Sequence, residues 1–160
     1  MKPVLNSLLC IVTCFQLLAC GEISTGETST GETSTADRIT TAVLAAQLSQ
    51  EMPPLILDVR SPEEYAAGHI PGAINIEYSQ LSEQIETLRS YEAEEIVIYC
   101  ERGFRANRAI ATLETAEKIA RETAKGEAGK EAKFSTTVLF LKGHMRAWRR
   151  ANLPIEKSSL

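Results

Sequence analysis

Histidine and cysteine, two of the side chains that most often bind metals, are scarce in this sequence of 160 residues. The two histidines, His69 and His144, stand far apart in the chain, and no cluster of histidine, cysteine and carboxylate residues has the spacing of metal ligands. The residues therefore predict no metal site.

Positive charge is also in the minority. The chain has 17 lysine and arginine residues against 21 acidic residues, a formal net charge of −4. Proteins that bind nucleic acid usually carry a basic surface, so nucleic acid is not an expected partner. The hydrophobic content of 44% is sufficient for the core of one domain of ordinary size.

Three of the four cysteines lie in the first twenty residues, at positions 10, 14 and 20. Residues 1–19 contain one charged residue, Lys2, followed by an apolar stretch that is too short to span a bilayer comfortably. The stretch ends in "LLAC", which resembles the lipobox of bacterial lipoproteins. We interpret residues 1–19 as a lipoprotein signal peptide and Cys20 as the lipidated N-terminus; a plain signal peptide and a buried apolar helix are the alternatives.

Residues 20–37 include the repeat "STGETSTGETST", which has no apolar side chain to bury. We predict that this segment is a flexible linker between the lipid and a folded domain at residues 38–157. After signal removal Cys100 is the only remaining thiol besides the lipidated Cys20. It has no partner for an internal disulfide, so it is either a reactive thiol or a site of intermolecular pairing.

The domain alternates predicted strands with predicted helices. Short apolar runs predict strands at 55–59, 73–76, 95–100 and 137–141. Helices are predicted from about 39 to 51, with Val43, Leu44 and Leu48 on one face, and at 61–68, 78–88, 105–125 and 145–153. This alternation predicts an α/β fold with an open parallel sheet and helices on both faces. A charged segment at about 115–135 is interpreted as a surface insertion.

Ser61 and Glu64 have the spacing of a capping box, with Pro62 at the first helical position. Helical spacing puts Ala109, Ile110 and Leu113 together, and Trp148 is most simply a core residue.

Cys100 stands at the end of a predicted buried strand, where parallel sheets place reactive groups. Gly103 allows the backbone to curl before the next helix, so that successive amides form a cradle for an anion. The three arginines Arg102, Arg105 and Arg108 outnumber Glu101 and favour the thiolate form of the cysteine. Taken alone, a cysteine after a strand is more often a small buried apolar residue.

The motifs around Cys100 resemble those of the rhodanese-like (sulfurtransferase) family. They are the C-x-x-G-x-R loop, the upstream "LDVRSPEEYAAGHIPGAINI" and the downstream "LKGHMRAWRRANLPIE". The resemblance runs from about residue 39 to residue 156. Two departures are Ala106, where a serine often follows the loop arginine, and Gly143-His144, where the family has two glycines.

The resemblance implies a rhodanese-like fold and a single-domain thiosulfate sulfurtransferase in which Cys100 carries a persulfide. It implies no metal and no organic cofactor, a small anionic sulfur donor, and a thiol or cyanide-like acceptor. The substrate-binding loop would be Glu101, Arg102, Gly103, Phe104 and Arg105, with Arg105 binding the anion. Its six residues suit a sulfur atom, whereas related phosphatases and arsenate reductases have a loop one residue longer. Asp58 and Arg60 would support the loop structurally, and His69 would make a structural hydrogen bond.

Two other functions fit the same residues. One is a non-catalytic rhodanese-like module that binds a partner or senses sulfur, and the other is a periplasmic thiol redox protein. Retention of Cys100 argues against the first, and the lack of a resolving cysteine argues against the second. The predicted location is the cell envelope, with the lipid in the outer membrane and the domain facing the periplasm. The oligomeric state, the physiological donor and the physiological acceptor are left open by the sequence.

Overall fold

A computed structural model describes residues 37–124 and 136–159. The predicted signal peptide, Cys20 and nearly all of the predicted linker lie outside the described residues, as does the 125–135 part of the predicted insertion. No helix among the described residues is long and apolar enough to cross a membrane.

The described residues contain one sheet of five parallel strands: β1 (Asp37–Ile39), β2 (Leu55–Asp58), β3 (Ile74–Asn75), β4 (Glu95–Tyr99) and β5 (Thr137–Leu141). The strand order is β1-β5-β4-β2-β3. β4 is therefore the central strand, and its residues 96–99 are fully buried because both sheet faces are covered. Cys100 directly follows this strand, so its backbone is held by the most enclosed part of the sheet.

Helices cover both faces of the sheet, as predicted. They are α1 (Thr41–Gln47), α2 (Pro62–Ala67), α3 (Ile85–Arg89), α4 (Phe104–Ala124) and α5 (His144–Arg150). Leu44 of α1 and Trp148 of α5 pack on one face with Val97 and Tyr99 of β4. On the other face, the buried side chains of α3 and α4 pack with apolar residues of β2 and β4; they are Leu88, Ala106, Ala109, Ile110 and Leu113.

The start of α2 follows the predicted capping pattern. Ser61 accepts a hydrogen bond from the Glu64 backbone N–H at 3.3 Å, and the Glu64 carboxylate accepts one from the Ser61 N–H at 3.2 Å. Pro62 occupies the first helical position, where its missing N–H costs nothing. The capping box therefore fixes the Glu64 side chain at the end of α2 that lies nearest the carboxyl end of β2.

Three details of the predicted helices and strands are wrong. Strand β1 was not predicted, since its three residues are too short for a pattern and it is defined by pairing with residues 139–141 of β5. Val43 is 51% exposed, so only part of the predicted apolar face of α1 is buried. The predicted helix 78–88 is helical only from Ile85; the Tyr78 N–H donates to the Val59 carbonyl, and residues 78–83 form turns instead of a helix.

Candidate active site

Cys100 is 1% exposed, and its sulfur accepts a hydrogen bond from a backbone amide. The Gly103 N–H donates to Cys100 Sγ at 3.0 Å, which closes a tight turn between β4 and α4. A backbone N–H directed at sulfur stabilises the negative charge of a thiolate more than the neutral thiol. Of the predicted cradle of successive amides, the structure thus places one, that of Gly103, on the Cys100 sulfur.

Gly103 is required at its position by conformation and by space. Its φ of +117° is in the region that side chains rarely adopt. A Cβ at this residue would lie 2.8 Å from His144 Nε2 and 3.3 Å from His144 Cδ2. The loop therefore rests directly on the imidazole ring of a residue 41 positions further along the chain.

His144 is a buried part of the site that sequence reasoning did not select. Its Nδ1 lies 3.4 Å from the Cys100 backbone N, which donates to it, and its ring meets the Phe140 ring edge-on at 4.4 Å between centroids. Burial lowers the pKa of the imidazole to about 4, and the positive charge of Arg38 acts in the same direction. The ring is therefore neutral at pH 7, which leaves Nδ1 free to accept a hydrogen bond. The unusual Gly143-His144 pair was the available sequence signal.

Arg105, the predicted anion-binding residue, is paired with a carboxylate in this structure. Its two terminal nitrogens donate to the two carboxylate oxygens of Glu64, the Nη2 contact being 2.8 Å. This bidentate contact lowers the pKa of the Glu64 carboxyl to about 2. Glu64 is the second site residue that sequence reasoning missed, although its capping role was predicted.

Asp58 and Arg60 form a buried ion pair at the end of β2. Asp58 is fully buried and Arg60 is 1% exposed. Arg60 Nε donates to both Asp58 carboxylate oxygens at 3.0 Å, and Arg60 Nη2 also donates to the Gly68 carbonyl at 2.8 Å. Asn75 donates to the backbone carbonyls of Asp58 and Arg60. These contacts join β2, β3 and the turn after α2, so the geometry matches the structural role that was predicted for the pair.

The remaining loop residues lie at the rim of the site. The Glu101 carboxylate accepts from Arg149 at 2.9 and 3.0 Å and lies 3.7 Å from Arg60 Nη1. Arg102 is exposed, and the Phe104 ring is 71% exposed with the Arg108 guanidinium 5.0 Å from its centroid. Of the three arginines from which a positive field was predicted, Arg105 already has its charge paired with Glu64.

His69 has the structural role that was predicted for it. Its Nδ1 lies 2.9 Å from the Tyr65 carbonyl oxygen, and its ring stacks on the Tyr65 ring at 3.7 Å between centroids. Trp148, predicted to be a core residue, is fully buried and donates to the Pro154 carbonyl at 2.7 Å. Neither side chain contacts Cys100 in the described hydrogen bonds and ring contacts.

The sequence model of the family described as "Rhodanese-like domain" matches residues 40–151. The chain therefore belongs to the rhodanese-like domain family. A solved thiosulfate sulfurtransferase from Pseudomonas aeruginosa superposes with a TM-score of 0.57 at 30% identity, covering 77% of this chain and 20% of that one. A rhodanese-like domain protein from Staphylococcus aureus superposes with a TM-score of 0.55 at 27% identity, covering 77% of this chain and 99% of that one.

Curated relatives include proteins with different printed roles. An HTH-type transcriptional regulator of Mycobacterium tuberculosis is 36% identical over 104 residues, which is 65% of this chain and 38% of the relative. The thiosulfate sulfurtransferase PspE of Escherichia coli is 36% identical over 53 residues, which is 33% of this chain and 51% of the relative. The matched regions span about half or less of these relatives' lengths, so the fold and family are shared while a specific activity has to be argued from the site.

Proposed function

We propose that this chain is a sulfurtransferase that moves a sulfane sulfur from a thiosulfate-like donor to a nucleophilic acceptor through a persulfide on Cys100. The observation that carries the proposal is the 3.0 Å hydrogen bond from the Gly103 N–H to Cys100 Sγ at the carboxyl end of the central strand. Such a contact favours an ionised sulfur, and an ionised sulfur is the nucleophile that the reaction requires.

The proposed reaction has two steps. The Cys100 thiolate attacks the sulfane sulfur of thiosulfate, a new S–S bond forms, and the old S–S bond breaks with its electron pair leaving on sulfite. An acceptor nucleophile, such as a thiolate or cyanide, then attacks the outer sulfur and regenerates the Cys100 thiolate. Amide donors that hold the anionic sulfur lower the barrier of both steps without any cofactor.

The burial of Cys100 supports a small donor. Only 1% of the residue is exposed, so there is little open space through which a reactant can approach its sulfur. A compact anion fits such an approach better than a bulky disulfide does. This also argues against the alternative of a thiol redox protein that exchanges disulfides with large partners.

Incubating the purified protein with thiosulfate is expected to add the mass of one sulfur atom to the peptide that contains Cys100. Dithiothreitol or cyanide should remove this added mass. A protein pretreated with iodoacetamide, which blocks the thiol, is the matched control and should gain nothing. No gain of mass in the untreated protein would contradict the proposal and favour a non-catalytic binding module.

Arg105 and Glu64 provide a prediction about anion binding. Arg105→Ala should lower kcat/KM for thiosulfate by roughly ten- to a hundredfold, because one charge-assisted contact to an anion is worth about 1.5–3 kcal/mol. Glu64→Gln is the matched variant: its side-chain oxygen can still accept from the Ser61 N–H, but Arg105 loses its counter-charge. We expect Glu64→Gln to keep or raise the use of thiosulfate.

Steady-state kinetics of both variants distinguish anion binding by Arg105 from a purely structural role of the Arg105–Glu64 contact. If Arg105 serves only to tie α4 to α2 through Glu64, both variants should lose kcat/KM to a similar extent. An unchanged kcat/KM in Arg105→Ala would instead leave anion binding to the backbone amides alone.

We also propose that a lipid on Cys20 anchors the domain to the envelope, with Gly21 at the next position, rather than Asp, favouring transfer to the outer membrane. The support is the "LLAC" sequence behind an apolar run. Expressed in a Gram-negative host, the protein is expected to fractionate with membranes, and Cys20→Ala should remain unprocessed or become soluble. Cys14→Ser is the control and should behave as the unchanged protein. A wild-type protein found soluble and unlipidated in the periplasm would contradict the anchor.

A further inference from the structure

We infer that His144 is a positioning residue for the Cys100 loop: its neutral imidazole holds the Cys100–Gly103 turn in the shape that directs the Gly103 N–H at the sulfur. This inference rests on the proposed function, because it explains how the nucleophile of that reaction is prepared. His144 belongs to β5–α5, whereas the loop connects β4 to α4, so the contact is made only in the folded domain.

The ring touches both ends of the turn. Its Nδ1 accepts a hydrogen bond from the Cys100 N–H at 3.4 Å, which fixes the residue that bears the sulfur. Its Nε2 edge lies under Gly103, so close that a Cβ there would be 2.8 Å away. Gly103 is the residue whose N–H donates to the sulfur at 3.0 Å. One rigid ring therefore contacts the donor residue and the acceptor residue of the same hydrogen bond.

The ring is itself held in place by its surroundings. His144 is 3% exposed, and the Phe140 ring meets it edge-on with an angle of 86° between the two planes. The Arg38 guanidinium of β1 lies over the Phe140 ring, 5.5 Å from its centroid. Its positive charge disfavours protonation of the His144 imidazole. With Nδ1 accepting, the imidazole proton is on Nε2, and the neutral tautomer is the one that fits.

The backbone conformation at His144 is one that histidine does not favour. Its φ is +54°, a left-handed conformation in which glycine or asparagine is more comfortable than histidine. α5 begins at this residue, and the preceding Gly143 is also left-handed at +76°. A glycine at 144 would relieve the backbone but leave the Cys100 N–H without its imidazole acceptor, so the side chain has a use that offsets the conformational cost.

The backbone of α5 and the imidazole of His144 hold the Cys100 loop through different hydrogen bonds. The Met145 N–H donates to the Cys100 carbonyl at 3.0 Å, and the Arg146 N–H donates to the Glu101 carbonyl at 3.4 Å. These two bonds do not involve the imidazole and are retained in any variant that keeps α5. The imidazole is the side chain that accepts from the Cys100 N–H, and at Gly103 it is joined by the Phe140 ring, whose Cζ would lie 3.6 Å from a Cβ there.

The test is the pH dependence of alkylation of the peptide containing Cys100, measured by mass in the full chain with iodoacetamide. His144→Gly is expected to move the alkylation midpoint upward by about one pH unit, which is a tenfold loss of thiolate at a fixed pH. His144→Asn keeps a short acceptor and tolerates the left-handed backbone, so its shift should be intermediate. His69→Asn is the matched control: it removes a histidine that is equally buried but remote, and it should lower the melting temperature without moving the midpoint.

Two outcomes would overturn the inference. One is a His144→Gly variant that is folded and has the wild-type midpoint, since the ring would then be only a core side chain. If His144→Gly does not fold, an unshifted midpoint in His144→Asn has the same meaning. The thiosulfate mass gain of the wild-type protein is measured in parallel. A shifted alkylation midpoint without the mass gain would support His144 as the positioning residue and contradict the sulfurtransferase proposal. The mass gain without a shifted midpoint would support the sulfurtransferase proposal and contradict the role of His144.

Discussion

Cys100→Ser is expected to reduce sulfur transfer from thiosulfate by more than about a thousandfold, to the rate of the uncatalysed reaction. The serine hydroxyl is close in size to the thiol and can still accept the hydrogen bond from the Gly103 N–H. It is not ionised near neutral pH and forms no persulfide, so the first step of the proposed reaction is lost.

The fold of this variant should be retained, because the buried side chain changes by a single atom. Thiosulfate:cyanide turnover and urea-induced unfolding, measured on the same preparation, separate the two effects. Cys14→Ser is the control with the same chemical change at a position predicted to lie in the signal peptide, and it should keep full turnover. Appreciable turnover in Cys100→Ser would remove Cys100 from the mechanism.

Asp58→Ala is expected to lower the free energy of unfolding by about 3–5 kcal/mol, the range for breaking a buried ion pair by removing one partner. The change leaves the Arg60 guanidinium at 1% exposure without the counter-charge of Asp58; the Gly68 carbonyl, Tyr99 and the more distant Glu101 remain as partners. It also removes the acceptor of the Arg60 backbone N–H, which donates to Asp58 Oδ1 at 3.0 Å.

The free energy of unfolding is measured by urea denaturation, in which the m-value should not change. Two further variants serve as comparisons. Glu86→Ala removes the exposed partner of Arg89 and should cost no more than about 1 kcal/mol, as surface pairs do. The double change Asp58→Leu with Arg60→Met should cost less than Asp58→Ala alone, because no uncompensated charge remains. A loss below about 1 kcal/mol in Asp58→Ala would mean that water or another group solvates Arg60 and that the pair is not a structural support.

The local features of the site could be read directly from the chain. The capping box Ser61–Glu64 depends on residues three positions apart, and the strand that ends at Tyr99 is a continuous apolar run followed by Cys100. The buried positions Ala109, Ile110 and Leu113 follow from helical spacing. These features were predicted correctly because each is decided by neighbours in sequence, where hydrogen-bonding distance and periodicity are fixed by the backbone.

Contacts between distant segments were not predicted. Strand β1 exists because it pairs with β5, about a hundred residues away, and three residues carry no pattern of their own. Val43 is exposed although it fits a helical face, since the width of the buried face is set by what packs against α1. The first half of the predicted helix 78–88 forms turns instead, and the Tyr78 N–H at its start donates to the distant Val59 carbonyl.

By itself, the sequence determined the α/β alternation, the place of Cys100 after a buried strand, and a glycine that allows the following loop to curl. Only the tertiary structure decided which charges and rings surround that loop. Arg105 is paired with Glu64, 41 residues earlier, and Gly103 rests on His144, 41 residues later. The physical reason is that these pairs form between loops that meet at the carboxyl end of the sheet, and the strand order decides which loops meet. Strand order, unlike the apolar pattern of a strand, is not encoded in any local stretch of the chain.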